Sequence, residues 1–389
     1  MSHRFLKAKN FFLLWPIFIG NLLYSFHYNV LVYVNSSYLS EYFNPGLVSI
    51  LYVLGSIGSI ALFFLAVYLE NKFGNKKFLS LFLFLELIAV FGLAVASTHL
   101  AIALFFIIFE STSLMIVYAF DIFLLDATPT KDTGVVRGAY LTLANISLVL
   151  SPLLITIFAP NGEFTNLFIL SLFFLLPLFI LAHFSFRHFK DGLPRVLGLP
   201  IKEWLKAKNV RRVTEVRLVL DIFYAFMVIY MPIYLHTHIG FSWSEIGAIF
   251  TIMLLPFVLF EVPIGRLADR FCGEKELMTL GLFIIGCVLI LVPFIKTPSV
   301  LLWTILLFIS RVGASTVETT CESYFFKHVD KRDTGLISIY RLSWPVAFII
   351  GPIIGAFSLA LFPFEAMFFI LALLMLKIMS TSAKLQDTL

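Results

Sequence analysis

Gly265-Arg266-Leu267-Ala268-Asp269-Arg270 stands where one long apolar run ends and shortly before the next begins, in a 389-residue chain that is 60% hydrophobic. An Asp and two Arg side chains are costly in hydrocarbon, so the cluster belongs in a tight loop at one face of a bilayer, joining two spanning helices. Composition points to the same solvent. Mean hydropathy is +0.98 and only 13% of residues are charged, more apolar surface than a soluble chain of this length can bury.

Crossing a bilayer takes about 20 helical residues, and runs of that length recur along the whole chain. Twelve are expected, at 11–35, 45–69, 77–97, 100–126, 135–159, 164–186, 214–237, 243–268, 276–295, 299–327, 335–361 and 364–383. Apolar positions recur at every third and fourth residue without strict alternation, which favours a helical bundle over an outer-membrane barrel. The expected class is therefore an all-α integral membrane protein, with its first apolar segment retained as helix one.

The formal charge of +5 follows from topology and needs no nucleic acid. With the N-terminus in the cytoplasm of a cell-membrane protein, 23 of the 28 basic residues fall on the cytoplasmic face. Arg217, Arg311, Arg341 and Lys377 lie in expected helices, and only Lys296 lies on the opposite face. Both termini are then cytoplasmic. Cys272, Cys287 and Cys321 have no metal-binding spacing and suggest no disulfide, and no cofactor or metal site is expected.

The long polar interruption from Arg187 to Val213, with Pro194 and Pro200, divides the chain into a six-helix bundle at 1–186, a basic linker at 187–213 and a second six-helix bundle at 214–389. Ile201, Trp204 and Leu205 beside Lys202, Lys206 and Lys208 suit either a short helix on anionic lipid headgroups or a flexible basic tether. The halves repeat one another. Lys131-Asp132-Thr133-Gly134 returns as Arg332-Asp333-Thr334-Gly335, an offset of 201 that also pairs Asp121 with Glu322 and Glu110 with Arg311. An offset of 200 pairs Asn21 with Asp221 and Tyr24 with Tyr224. Parallel repeats of this kind place a cavity at their interface and permit alternating access by rocking.

These features resemble the major facilitator superfamily over nearly the full length: twelve helices in two pseudo-symmetric bundles, a basic middle loop, and a loop signature of the form G-x-L-A-D-R-x-G-R-K. In the second half Gly265, Leu267, Ala268, Asp269 and Arg270 match in register, while Cys272 displaces Gly273 and Glu274 replaces a basic residue. The first-half copy, Asn71-Lys72-Phe73-Gly74-Asn75-Lys76-Lys77, has Asn71 at the acidic position, Val67 at the first glycine and Glu70 one residue off. One acidic gate element is expected rather than two.

The resemblance implies a small-molecule transporter, not an enzyme, and gives the signature a role at the cytoplasmic gate. Gly265 is expected to allow close helix packing. Asp269 would accept from exposed N–H groups at the start of helix five, near Thr133 and Gly134, with Arg270 on carbonyls or lipid phosphate. Gly74, Asp121 and Glu322 are assigned to the same gate.

Charges within helices are costly and need a partner or a wet cavity. On helix ten Arg311, Ser315, Glu318 and Glu322 fall at i, i+4, i+7 and i+11 and form one polar stripe. Helix four answers with Glu110 and Asp121, also eleven residues apart. Glu110 and Arg311 are expected to pair across the cavity, either as a switch coupled to proton or substrate binding or as a permanent structural pair. Asn21 and Asp221 are expected to reach the cavity, with Asp221 and Glu318 as proton carriers. Arg341 could bind an anionic substrate, pair with a carboxylate or snorkel. Glu86, Glu261 and His27 are read as structural.

Function then reads as a secondary transporter, proton-coupled and acting as a monomer among membrane lipids, with a small molecule and H+ as its partners. A multidrug or metabolite efflux antiporter and a sugar or organic-anion importer remain open. The G-P-x-x-G-G element of drug antiporters is reduced in helix five to Ser151-Pro152-Leu153-Leu154, and its better copy, Gly351-Pro352-Ile353-Ile354-Gly355-Ala356, lies in helix eleven. From other classes, a polytopic enzyme lacks a clustered catalytic set here, and a non-transporting sensor or scaffold would keep its activity without the cavity charges.

Overall fold

A computed structural model describes residues 8–128, 133–186, 201–329 and 334–386. Helices account for its regular structure. In the first half these are α1 (Ala8–Val32, resuming as Asn35–Ser40), α2 (Pro45–Phe73), α3 (Asn75–Val95), α4 (His99–Ala127), α5 (Thr133–Phe158) and α6 (Phe164–Ser185). In the second they are α7 (Lys208–Ile229), α8 (Trp243–Met253), α9 (Gly273–Leu291), α10 (Val300–His328), α11 (Thr334–Arg341, then Ser343–Leu361) and α12 (Ala366–Ser382). Among the described residues eleven segments are long and apolar enough to cross a membrane. The twelfth, α12, has 17 residues, about 26 Å at the helical rise, near the lower limit for a span.

Several helices are interrupted where proline removes a backbone donor and its ring meets the carbonyl four residues earlier. α7 breaks at Tyr230 and continues as Met231–Tyr234 and a π turn, Leu235–Ile239, with Pro232 inside the new turn. α8 continues as Pro256–Leu259 and Glu261–Leu267. α11 breaks at Leu342 ahead of Pro345.

The chain forms two compact units, one of residues 1–35 and 54–197, the other of residues 36–53 and 198–389. In the first, α1 packs on α4, α5 and α6, and α3 packs on α4 and α6. In the second, α7 packs on α10, α11 and α12, and α9 packs on α10 and α12. The two patterns are the same with every helix number raised by six. Residues 36–53 join the second unit through polar and ring contacts: Ser49 Oγ lies 2.8 Å from the Tyr230 hydroxyl, and Tyr52 packs on Phe348 with centroids 6.2 Å apart.

Glycine permits the tightest helix approaches, because a bilayer offers no hydrophobic drive between helices and packing must supply it. A Cβ at Gly281 in α9 would stand 2.7 Å from the Gly313 carbonyl oxygen in α10, and the reverse holds. In α11 a Cβ at Gly355 would fall 2.2 Å from the Tyr230 hydroxyl, so the helix-eleven glycine motif seats α11 on α7. Large apolar side chains point outward, including Phe173, Leu176 and Ile180 on α6 and Phe357 and Leu361 on α11.

The opening stretch is helical rather than a loop. The helix runs through Leu267 and passes into a π turn, Ala268–Cys272, before reversing at Gly273. Ile264 and Ala268 are buried against Leu277 of α9, with Phe260 and Cys272 packed beside them. That apolar contact holds the segment in helical form past the point where its charges suggest a loop. Gly273 has φ 70 and ψ 160, and Gly74, at the matching turn of the first half, has φ 78 and ψ 150. This backbone region is open essentially only to glycine.

The two turn glycines reset the register of the repeat here to 199. Glu70, not Asn71, then stands opposite Asp269 in the repeat. Asn71 is displaced because aligning the first glycine of the signature, Gly265, on Val67 puts the copies one residue out. Gly265 itself is not a close-packing glycine: a Cβ there would lie 3.9 Å from Thr319, an ordinary contact. Gly273→Ala and Gly74→Ala are expected to cost roughly 1–3 kcal/mol each, with Gly265→Ala within about 1 kcal/mol. Thermal unfolding of the three variants checks this, and a Gly265→Ala loss as large as the other two would contradict it.

Candidate functional site

Each unit holds a buried polar cluster. In the first, Glu86 of α3 is fully buried and so is His27 of α1. His27 Nε2 lies 3.3 Å from Glu86 Oε1, and its Nδ1 lies 2.6 Å from Ser171 Oγ of α6. Thr112 and Ser113 of α4 both donate to Glu86, the latter at 2.8 Å. Tyr24 donates to the Ser113 carbonyl at 2.9 Å. Side chains of α1 and α4 therefore reach the carboxylate on α3, with α6 joined through His27, and every polar atom named has a partner, as burial in an apolar medium requires.

Glu110 lies on the same helix as Thr112, half-buried, with its backbone against α2: a Cβ at Gly55 would meet Glu110 Cβ at 2.5 Å, and Ser59 donates to the Glu110 carbonyl at 2.6 Å. No cation pairs with its carboxylate within the unit among the described residues. Asn21 does not open into a cavity: it is 4% exposed, and its amide donates to the Tyr140 carbonyl of α5 at 2.9 Å. Asp121 is half-buried near the end of α4.

The second cluster centres on Arg217 of α7. Its Nε lies 3.0 Å from Asp221 Oδ1, one turn along the same helix, and its Nη1 lies 3.0 Å from Glu318 Oε1 and 3.8 Å from Glu322 Oε1, both on α10. Asp221 also accepts from Ser343 Oγ of α11 at 2.6 Å, and Glu318 accepts from the Tyr224 hydroxyl at 2.8 Å. Arg341 donates to Glu322 at 2.8 Å. The Tyr340 ring lies under both guanidinium groups, 6.0 Å from Arg217 and 5.8 Å from Arg341, within the range of cation–π attraction.

The helix-ten stripe is thus only partly a cluster. Glu318 and Glu322 join it. Ser315 does not, because it is fully buried and its hydroxyl turns back to the Val312 carbonyl at 3.2 Å. Glu322 lies 3.8 Å from Arg217 and accepts from Arg341, so of the options for Arg341 a carboxylate pair is formed. Arg311 is 1% exposed and stacks over Phe223 at 4.9 Å, with no acceptor at Nε or Nη1. Glu110 and Arg311 belong to different units, and Arg311 has no ion pair within its own among the described residues.

Arg217, the hub, was not singled out by the sequence. Its repeat positions, Pro16 and Ile17, carry no charge, so internal symmetry gives no signal; the i, i+4 spacing to Asp221 would have found it. The first cluster was read as isolated residues because its members come from four helices far apart in sequence.

At the signature, Glu274 replaces the expected basic residue and is fully buried, paired with Lys327 of α10 and accepting from Ser323 Oγ at 2.8 Å. The charge is reversed because the cation comes from the neighbouring helix. Asn75, opposite it at the same offset of 199, bonds the Ala119 carbonyl of α4 at 3.3 Å. Glu70 accepts from the Tyr118 hydroxyl at 3.0 Å. The side chains of Asp269 and Arg270, and the two segments that hold Lys131 and Asp132 and then Arg332 and Asp333, lie outside the described residues. On the loop after α9, Lys296 pairs with Glu365, which holds that carboxyl below the usual carboxylate range and raises the Lys296 ammonium. The cysteines are free thiols, and no cluster suited to a metal occurs among the described residues.

The sequence matches the Major Facilitator Superfamily over residues 17–242 and 216–379. No curated protein matches it. Among solved structures, the nucleoside transporter NupG aligns with a TM-score of 0.73 at 16% identity, covering 95% of this chain and 98% of that one. A mutant of NupG aligns at 0.75 and 14% identity, covering 96% and 100%. A D-xylose-proton symporter aligns at 0.74 and 13% identity, covering 96% and 97%. At these identities the likeness shows the fold.

Proposed function

We propose that this chain, which belongs to the Major Facilitator Superfamily and is therefore a multi-pass membrane transporter of small molecules, couples solute movement to protons by alternating access. One observation carries the coupling. Around Arg217, two guanidinium groups, Arg217 and Arg341, face three carboxylates, Asp221, Glu318 and Glu322. Arg217 lies within 3.8 Å of all three carboxylates, so a proton bound at one of them changes the charge that this single guanidinium balances. Burial penalises an uncompensated charge by several kcal/mol, so protonation and the packing of α7 against α10 must be linked.

Glu318 is the best proton carrier of the three. Its side chain is 28% exposed, whereas Asp221 is fully buried and doubly held by Arg217 and Ser343. The Tyr224 hydroxyl gives Glu318 a second partner that can reorient when a proton arrives. Gating is proposed at the Gly265–Arg270 signature through Asp269, with Glu70 as its counterpart in the first half. In cells this orientation puts the signature and both termini on the cytoplasmic face, following the distribution of basic residues.

The test starts from a solute found by thermal stabilisation of the purified protein across sugars, nucleosides, organic acids, amino acids and drugs. In proteoliposomes, an imposed pH gradient should drive that solute against its concentration gradient. Glu318→Gln should lose the gradient-driven accumulation while keeping solute exchange at equal pH. Accumulation unaffected by the gradient in the parent, or unchanged in Glu318→Gln, would count against the coupling.

A further inference from the structure

We infer that Arg311 is the docking point for the carboxylate group of an organic acid, a reading that rests on the transporter assignment and names its class of cargo. Arg311 lies eleven residues into the 29-residue α10, about 17 Å along its axis and near mid-depth of a bilayer. It is 1% exposed, and two of its three guanidinium nitrogens meet no acceptor. The nearby hydroxyls on its helix are already used, Ser310 on the Leu307 carbonyl at 2.6 Å and Ser315 on the Val312 carbonyl at 3.2 Å.

The contrast with buried Arg217 and half-buried Arg341 decides the reading. Arg217 and Arg341 pair with carboxylates, while among the described residues Arg311 has only the face of Phe223. A cation–π contact offsets only part of the cost of placing a guanidinium in a spanning helix. The deficit means that the missing partner arrives from outside the unit.

A planar guanidinium presents its donors in a fork that matches a carboxylate, and with Phe223 covering one face the free edge remains for it. Beside Phe223 on α7 stands Tyr224, whose ring packs against Phe257 at 6.1 Å and Trp344 at 6.4 Å. An apolar wall next to an unpaired cation suits an acid with a hydrocarbon body.

The experiment compares the full-length parent, Arg311→Met and Arg217→Met in detergent by thermal unfolding, without ligand and with benzoate, succinate, gluconate or inorganic phosphate, using benzamide as the uncharged control. Without ligand, Arg311→Met should melt at or above the parent, because an unpaired charge is removed, while Arg217→Met melts lower. At least one carboxylate should raise the parent midpoint by about 3 °C or more at saturation and leave Arg311→Met unmoved, with benzamide moving neither. A ligand-free Arg311→Met that melts as low as Arg217→Met overturns the proposal, since Arg311 then has a structural partner. A carboxylate shift that survives in Arg311→Met, a shift with phosphate alone, or no carboxylate shift in the parent overturns it too. Stabilisation by neutral solutes only would leave the carrier standing and remove the anion site.

Discussion

Replacing Arg217 with Met should destabilise the second unit by about 3–5 kcal/mol, the usual consequence of removing one partner from a buried ion pair. Asp221 is fully buried and loses its nearest cation, 3.0 Å away, while Glu318 loses its own at the same distance. Arg341 already serves Glu322 and cannot serve all three. Lowering the pH should narrow the gap between variant and parent, because protonated carboxyls need no cation. Thermal unfolding across pH 5 to 8 measures it, and a Met variant with the parent's midpoint at neutral pH would show that the cluster's charges are balanced by other means.

Gly281→Leu should be nearly as damaging, for a reason unrelated to charge. Its Cβ would fall 2.7 Å from the Gly313 carbonyl oxygen and 2.7 Å from a Val317 methyl, and a backbone atom cannot rotate away. Overpacking of this kind typically costs 1–3 kcal/mol, occasionally more, and here it separates α9 from α10, the helix that bears Arg311, Glu318 and Glu322. Size-exclusion profile and unfolding midpoint should both deteriorate, whereas Gly265→Leu, with 3.9 Å to its nearest neighbour, should remain close to the parent. Equal damage from the two would mean that leucine in these helices, rather than the close approach, is at fault.

The fold was legible because a bilayer imposes its thickness on the sequence, so long apolar runs could be counted without knowing what they touch. Helix interruptions were less legible. Pro232, Pro256 and Pro345 mark them, but proline also sits inside intact helices at Pro152 and Pro177, and local sequence does not say which will break. The polar clusters were read best where partners share a helix face, as with Glu318 and Glu322, and worst where they meet from different helices, as with His27, Glu86 and Ser171. Symmetry helped and misled. It paired Glu110 with Arg311, one in each unit, yet it was silent on Arg217, and at the signature it ran one residue out until two glycine backbones fixed the register.

Residues 36–53 have a practical bearing on any attempt to express the protein as two fragments. A polypeptide beginning at Ile201 would contain α7 to α12 but not Ser49, which meets the Tyr230 hydroxyl, nor Tyr52, which covers Phe348. Such a fragment is an incomplete folding unit. Complementation should therefore depend on synthesis alongside a first fragment that carries this segment, and a second fragment fused to residues 36–53 should survive better alone than the bare six-helix piece.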